Sequence, residues 1–223
     1  MIWPFGSKKK IPETDFVKRY LDENSRKIPG IRQLDLLEFV VFDTETTGLN
    51  PKEDFILSFG AVKIQERKIL VNTAVEWYPN SPKAGSQTAE IHGLLRPEAT
   101  LEIQSFIKQV LAYFSNSILV GHHVGFDLQM LHKASKAYGL PRLVNPTLDT
   151  MNLAIRLDYG PSPDRQMVPM KEYGLDTLCD RFGIATEDRH TAPGDAFLTA
   201  QLLLKLLKLA EQKGINTFSD LLR

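Results

Sequence analysis

Phe39-Val40-Val41-Phe42-Asp43-Thr44-Glu45-Thr46-Thr47-Gly48-Leu49 is the stretch on which the reading of this chain turns. Its first four residues form a short continuous apolar run, which suits a strand buried on both faces. Side chains at i and i+2 of a strand share a face, so Asp43 and Glu45 project together from its end. Two adjacent carboxylates repel, and each raises the other's pKa unless a cation lies between them. Hard divalent ions such as Mg²⁺ or Mn²⁺ favour such oxygen donors. An Asp-x-Glu triplet alone carries no information; its place directly after a buried strand gives it weight.

Outward from this strand the pattern is that of a layered α/β fold. Residues 55–64 and 69–77 are rich in β-branched and aromatic side chains, and Ile69, Val71, Thr73 and Val75 alternate. With short links between them, the three strands predict an antiparallel meander. Apolar residues at Ile103, Phe106, Ile107, Val110, Leu111 and Phe114 predict a helix over 101–114. A short strand over 118–120 and a helix over 126–138, stopped by Gly139 and Pro141, come next. A last strand starts at either Leu143-Val144 or Thr147-Leu148, and helices follow over about 150–157, 175–182 and 195–212. Pro161, Pro163 and Pro169 mark a surface loop between the first two of these. The order β-β-β-α-β-α-β-α-α-α implies a mixed sheet with helices layered on it.

Composition narrows the function classes. The chain has 223 residues, 43% hydrophobic and 24% charged, long enough to bury a core without disulfides. Lys+Arg and Asp+Glu both number 27, which excludes a bulk polycation that coats nucleic acid by charge, though not a local basic groove. The single cysteine, Cys179, excludes an internal disulfide and a cysteine-rich zinc site, and reads as a buried small hydrophobe. No apolar run approaches the length of a membrane span, and MIWPFGSKKK has the reverse order of a signal peptide, so a cytoplasmic protein without a membrane partner is expected. Residues 1–35 carry eight basic and five acidic side chains and include a helix over 13–27 with Phe16, Val17, Tyr20 and Leu21 on one side. They are expected to form a helical extension packed on a main domain of residues 36–223.

Two further acids lie where strands give way to helices. Asp127 follows Val120-Gly121-His122-His123-Val124-Gly125-Phe126, and Asp195 closes His190-Thr191-Ala192-Pro193-Gly194. Each has an ordinary explanation as an acid at a helix N-terminus. Together, four acids at the ends of three elements are harder to explain that way, because sites in open α/β sheets gather where strands end. His190, five residues before Asp195, is placed to deprotonate a water at neutral pH. The set suits two-metal phosphodiester hydrolysis. Asp149, after the last strand, is read as structural.

The segments Phe42–Leu49, Gly121–Asp127 and His190–Ala196 resemble the three exonuclease motifs of the DEDDh 3′–5′ exonucleases, the family of the epsilon proofreading subunit of bacterial DNA polymerase III. Ile91-His92-Gly93 is similar to the family's Val/Ile-His-Gly element, and the likeness covers roughly residues 36–212. The resemblance implies a ribonuclease-H-like fold, with a mixed five-stranded sheet and helices on both faces. It implies that Asp43, Glu45, Asp127 and Asp195 bind two Mg²⁺ or Mn²⁺ ions, with His190 as the general base. By the same match, Thr46, Thr47, Gly48 and Leu49 meet the 3′ nucleoside, with Leu49 on the base. Phe126 stacks on a neighbouring base, or else packs in the core, and His92 lies near the terminal nucleotide. Many members carry Asn where this chain has His123, a change that leaves the proposed metal ligands intact.

The activity implied is release of nucleoside 5′-monophosphates from a single-stranded or frayed 3′ end of DNA, in proofreading or repair, with a DNA polymerase subunit as a candidate partner. RNA exonucleases such as ribonuclease T and oligoribonuclease share the motifs, so RNA is the alternative substrate. An inactive nucleic-acid-binding or polymerase-associated module is the alternative of a different class, and the intact acids and His190 argue against it.

Overall fold

The buried strand β1 (Phe39–Thr46) is the middle of a five-stranded sheet in the order β3-β2-β1-β4-β5. A computed structural model of the chain describes residues 11–82, 99–164, 166–187 and 189–223. β1 pairs antiparallel with β2 (Ile56–Gln65), which pairs antiparallel with β3 (Lys68–Trp77), as the meander requires. On its other side β1 runs parallel to β4 (Ile118–Gly121), and β4 parallel to β5 (Thr147–Asp149). The carboxyl ends of β1, β4 and β5 therefore lie at one edge of the sheet, where α/β folds place their sites. Of the two sequence readings for the last strand, the structure takes the one at Thr147.

The four apolar residues opening β1 feed two cores. Phe39 and Val41 join Val62, Ile64, Ile118 and Val120 under one helical layer, while Val40 and Phe42 join Phe59, Phe106, Phe114 and Leu119 under the other. This is why the run is continuous rather than alternating: the strand has no wet face.

The second core is covered by α1 (Asp15–Glu23), α2 (Ile103–Phe114) and α3 (Gly125–Ser135), which contribute Val17, Tyr20, Val110, Leu111, Met130 and Leu131. α1 is sewn into that layer. Tyr20 Oη bonds Asn145 and accepts from the Val144 amide at 2.9 Å, and the Thr14 amide donates to the Tyr138 carbonyl at 3.2 Å. The first core is covered by α4 (Thr150–Tyr159), α5 (Leu175–Arg181), α6 (Ala192–Gln212) and the short α7 (Phe218–Leu221). Leu202, Leu203, Leu206 and Leu207 of α6 are all buried there, and Cys179 beside them is buried with its thiol pushed up to about 11, a packing residue and not a nucleophile.

α6 begins three residues before the expected start. Thr191 is its N-cap and accepts from the Gly194 amide at 3.1 Å, and Pro193 fits the first turn, where its missing N–H is not needed. Asp195 thus lies inside the first turn and does not cap it. Among the described residues, no helix is long and apolar enough to cross a membrane.

Candidate active site

Asp43 and Glu45 occupy the last turn of pleat on β1 and face α6, in step with Phe39 and Val41. Their partners across the sheet are Gly60 and Ser58 of β2. Gly60 is the reason a third acid can reach them. A Cβ there would lie 2.1 Å from the Pro193 nitrogen and 2.2 Å from the Ala192 carbonyl carbon, so a bare Cα lets the first turn of α6 rest directly on the strand. That turn delivers Asp195. Ligand oxygens of Asp43, Glu45 and Asp195 lie within 4.8 Å of one another.

Asp127 arrives from the opposite layer. It sits in the first turn of α3, and only 5% of it is exposed. Its Oδ1 accepts from the Thr44 amide at 3.0 Å and the Thr44 hydroxyl at 2.5 Å. Thr44 points to the second core, beside Phe59, so the strand end holds Asp43 and Glu45 on one face and anchors Asp127 on the other. Asp127 stands outside the close group of three, yet near enough to raise the pKa of Asp43.

The crowding of acids has a clear electrostatic signature. Burial, then the charges of Asp127, Asp195 and Glu45, hold the Asp43 carboxyl well above the usual carboxylate range. Burial and Asp195 push Glu45 up to about 7. Burial also lifts Asp127 to about 7, against the bonds from Thr44 that favour its charged form. Carboxyls this reluctant to ionise together become an oxygen cage once a hard cation shares their charge. The donors fit a Mg²⁺- or Mn²⁺-like ion: carboxylate oxygens alone, with no thiolate and no imidazole in the close group.

His190 sits exposed on the turn that leads into α6, with φ at 68°, the left-handed region. Its amide faces Asp195 Oδ1 at 3.4 Å, and its charge favours ionised Glu45. It is thus beside the carboxylates and open to solvent. Sequence reading missed its neighbour Arg189, whose guanidinium donates to Asp195 and to both oxygens of Asp176, one of them at 3.1 Å. An arginine flanking His190 was the available signal.

The turn after β1 is braced from beneath. Thr46 donates to the Gly48 carbonyl at 2.8 Å, and Thr47 Oγ1 donates to Asp54 at 2.8 Å. The Asn50 amide reaches the other Asp54 oxygen at 2.9 Å, and Lys133 of α3 holds the Asp54 carbonyl at 2.6 Å. A Cβ at Gly48 would meet the Asp54 carboxylate at 2.6 Å, so the brace requires glycine there. Leu49 is held out to solvent with 88% of its surface exposed, an apolar side chain at the rim of an acidic site. Phe126 is half-buried and packs against the second core. His92 lies outside the described residues.

Asp149 has a structural task. Its Oδ1 caps α4 through the Met151 and Asn152 amides, and its Oδ2 accepts from the Val124 amide at 3.1 Å, tying α4 to the entry of α3. His123 has φ at 61°, a left-handed conformation that Asn and His both tolerate, so this chain's histidine keeps the backbone path. Burial pushes neighbouring His122 down to about 4 and keeps it neutral, with Nδ1 2.9 Å from Thr150 Oγ1.

Comparison with known proteins identifies the family and the fold. The family model RNase_T, described as exonuclease, matches residues 40–203. The chain is 32% identical over 186 residues to the DNA polymerase III PolC-type protein of Thermotoga petrophila, covering 82% of this chain and 13% of that protein. It is 34% identical over 198 residues to the DNA polymerase III subunit epsilon-like protein of Rhodobacter capsulatus, covering 85% of this chain and 26% of that one. It therefore spans a small part of either relative. Among solved structures, E. coli exonuclease I in complex with a dA16 oligonucleotide shares the fold, with a TM-score of 0.61 at 17% identity over 79% of this chain and 42% of that one.

Proposed function

Because the chain belongs to the RNase_T exonuclease family, we propose that it is a metal-dependent 3′–5′ exonuclease that removes nucleoside 5′-monophosphates from single-stranded or frayed DNA ends. The carrying observation is the convergence of Asp43, Glu45 and Asp195 within 4.8 Å, with Asp127 alongside and His190 at the open edge. The relatives are named as DNA polymerase III proteins, which supports DNA as the substrate and work beside a polymerase; in this reading the chain acts in the cytoplasm. Residues 36–223 form the exonuclease domain in this reading, and residues 1–35 its N-terminal extension.

Asp43, Glu45, Asp127 and Asp195 would hold two Mg²⁺ or Mn²⁺ ions. Bound there, such ions supply Lewis acidity, lowering the pKa of the attacking water and stabilising the leaving oxygen. The chain's residues do the rest. The Thr46–Leu49 turn receives the terminal nucleoside, and Leu49 packs on its base without reading its identity. His190 takes the proton of the attacking water on a ring nitrogen, and its exposure lets it pass that proton to solvent. Water oxygen bonds to phosphorus as the bond to the 3′ oxygen of the preceding sugar breaks. The departing 3′ oxygen takes a proton from solvent water, so the products are a nucleoside 5′-monophosphate and a strand one nucleotide shorter with a free 3′ hydroxyl. Thr44 keeps Asp127 aimed throughout. His92 and Phe126 complete the nucleotide site.

A time course with 5′-labelled single-stranded DNA and RNA, in Mn²⁺ and in EDTA, tests this. The expected result is a metal-dependent ladder shortening from the 3′ end, faster on DNA and lost in Asp43→Asn. A faster RNA ladder would move the assignment to an RNA exonuclease. No cleavage of either by the folded protein in Mn²⁺ would refute the activity.

A further inference from the structure

Arg189 is a cation that no step above uses, and it stands on a proposed metal ligand. Its side chain is 17% exposed. One arm of the guanidinium donates to Asp195 Oδ1, and the rest is paired with the two oxygens of Asp176 in the first turn of α5. Asp195 Oδ1 is also the oxygen faced by the His190 amide. The guanidinium charge reaches further, favouring the ionised forms of both Asp43 and Glu45. Part of the repulsion among the acids is thus already relieved by the chain itself. Asp176 is different in kind from Asp195: 65% of its side chain is exposed, and it is not one of the three clustered carboxylates.

We propose that Arg189 is a positioning residue that holds Asp195 as a resident cation in the metal-free site and cedes it to the incoming divalent ion, with Asp176 retaining the guanidinium when Asp195 is taken. The inference rests on the metal reading given above. Its physical basis is competition. A guanidinium and a dication cannot both draw fully on one carboxylate, and their like charges repel at close range. An arginine cannot escape by losing its proton, so it must move or be tolerated. Asp176 makes the movement short, because the guanidinium already holds both of its oxygens. The ordinary alternative is a staple that merely fixes the loop before α6 to α5. The two readings differ in sign. A staple weakens the site whichever end is cut. A competitor strengthens metal binding when the arginine goes and weakens it when the arginine loses its second partner and is left to Asp195 alone.

Calorimetric titration of Mn²⁺ into the full chain, without nucleic acid, reads this directly. Arg189→Met is expected to bind Mn²⁺ at least about tenfold more tightly than the unaltered chain, and Asp176→Asn severalfold more weakly. Equal or weaker binding by a folded Arg189→Met overturns the proposal, as does tighter binding by Asp176→Asn. Should Arg189→Met fail to fold, Arg189→Gln, which keeps polar contacts but not the charge, is read in its place: tighter binding than the unaltered chain supports the proposal, and equal or weaker binding overturns it. Asp43→Asn is the control for the underlying reading. If it binds Mn²⁺ as the unaltered chain does, or neither binds, the metal assignment itself fails and the proposal falls with it. If the unaltered chain binds, Asp43→Asn does not, and Arg189→Met gains nothing, the metal assignment stands and Arg189 is a staple.

Discussion

Adding one methyl group at Gly60 should disable the enzyme without touching a ligand. In Gly60→Ala the new Cβ would lie 2.1 Å from the Pro193 nitrogen, whereas ordinary contact begins near 3.4 Å. Both neighbours are backbone, so no side chain can swing aside, and the first turn of α6 must retreat by about 1.3 Å. Asp195 rides on that turn, while Asp43 and Glu45 stay on β1. A displacement of about 1 Å in a reacting group costs on the order of 10²-fold in rate. Overpacking of this kind also costs about 1–3 kcal/mol of stability. The assay is turnover on 5′-labelled single-stranded DNA in saturating Mn²⁺, with unfolding followed by circular dichroism. Gly174→Ala serves as control, because a Cβ there meets nothing within 4 Å. A Gly60→Ala protein with turnover within about threefold of the unaltered chain would refute the idea that this close approach sets the position of Asp195.

Thr44→Val keeps the shape of the strand but removes the hydroxyl donor to Asp127, and should lower turnover by about 10–100-fold with the fold intact; an unchanged rate would show that the amide alone holds Asp127. His190→Ala should cut turnover by about 10²–10⁴-fold with the fold intact, and an unchanged rate would place the base elsewhere. The metal-free protein should lose stability as pH rises from about 6.5 to about 8.5. Glu45 and Asp127 titrate near 7 when folded, and Asp43 is also raised, against an unfolded range near 4, so the folded state holds the extra protons and loses them across this interval. Buried His122, pushed down to about 4, acts in the opposite sense but only below its unfolded pKa near 6.5. Thermal melts in EDTA check this: a melting temperature that is flat or rises across the interval would contradict the crowding, and saturating Mn²⁺ at the upper pH should restore stability.

Much of the candidate site was legible because the strand that carries two of its acids is marked by its pleat and by the apolar run before it. The two-residue pleat puts Asp43 and Glu45 on one face, and the unbroken apolar run before them marks β1 as central. The mixed sheet followed from the order of the elements, and the helices on both of its faces from the resemblance to the exonuclease family; both agree with the observed fold. What was illegible depends on approach in space. Nothing periodic links Arg189 to Asp176, which lie in a loop and a short helix 13 residues apart. Thr44 reads as a spacer between two acids, and only the side chain's turn toward α3 makes it the anchor of Asp127. Gly60 drew no notice in the sequence; its meaning comes from the first turn of α6, far along the chain at Ala192 and Pro193. The early start of α6 was hidden by Pro193, which usually signals a break but is accommodated in a first turn. The short α7 carries a capping box, Thr217 with Asp220, which was a readable sign that went unused.

The acids reach the sheet edge from opposite sides: Asp195 is carried by the layer over one core, Asp127 by the layer over the other, and β1 belongs to both. The reactive centre is therefore a seam, aligned only when two independently packed halves of the molecule agree. Its tolerance is set by the looser half. Substitutions that loosen either layer will register as lost turnover well before they register as lost structure, so catalysis in this chain is a finer gauge of core packing than its melting temperature.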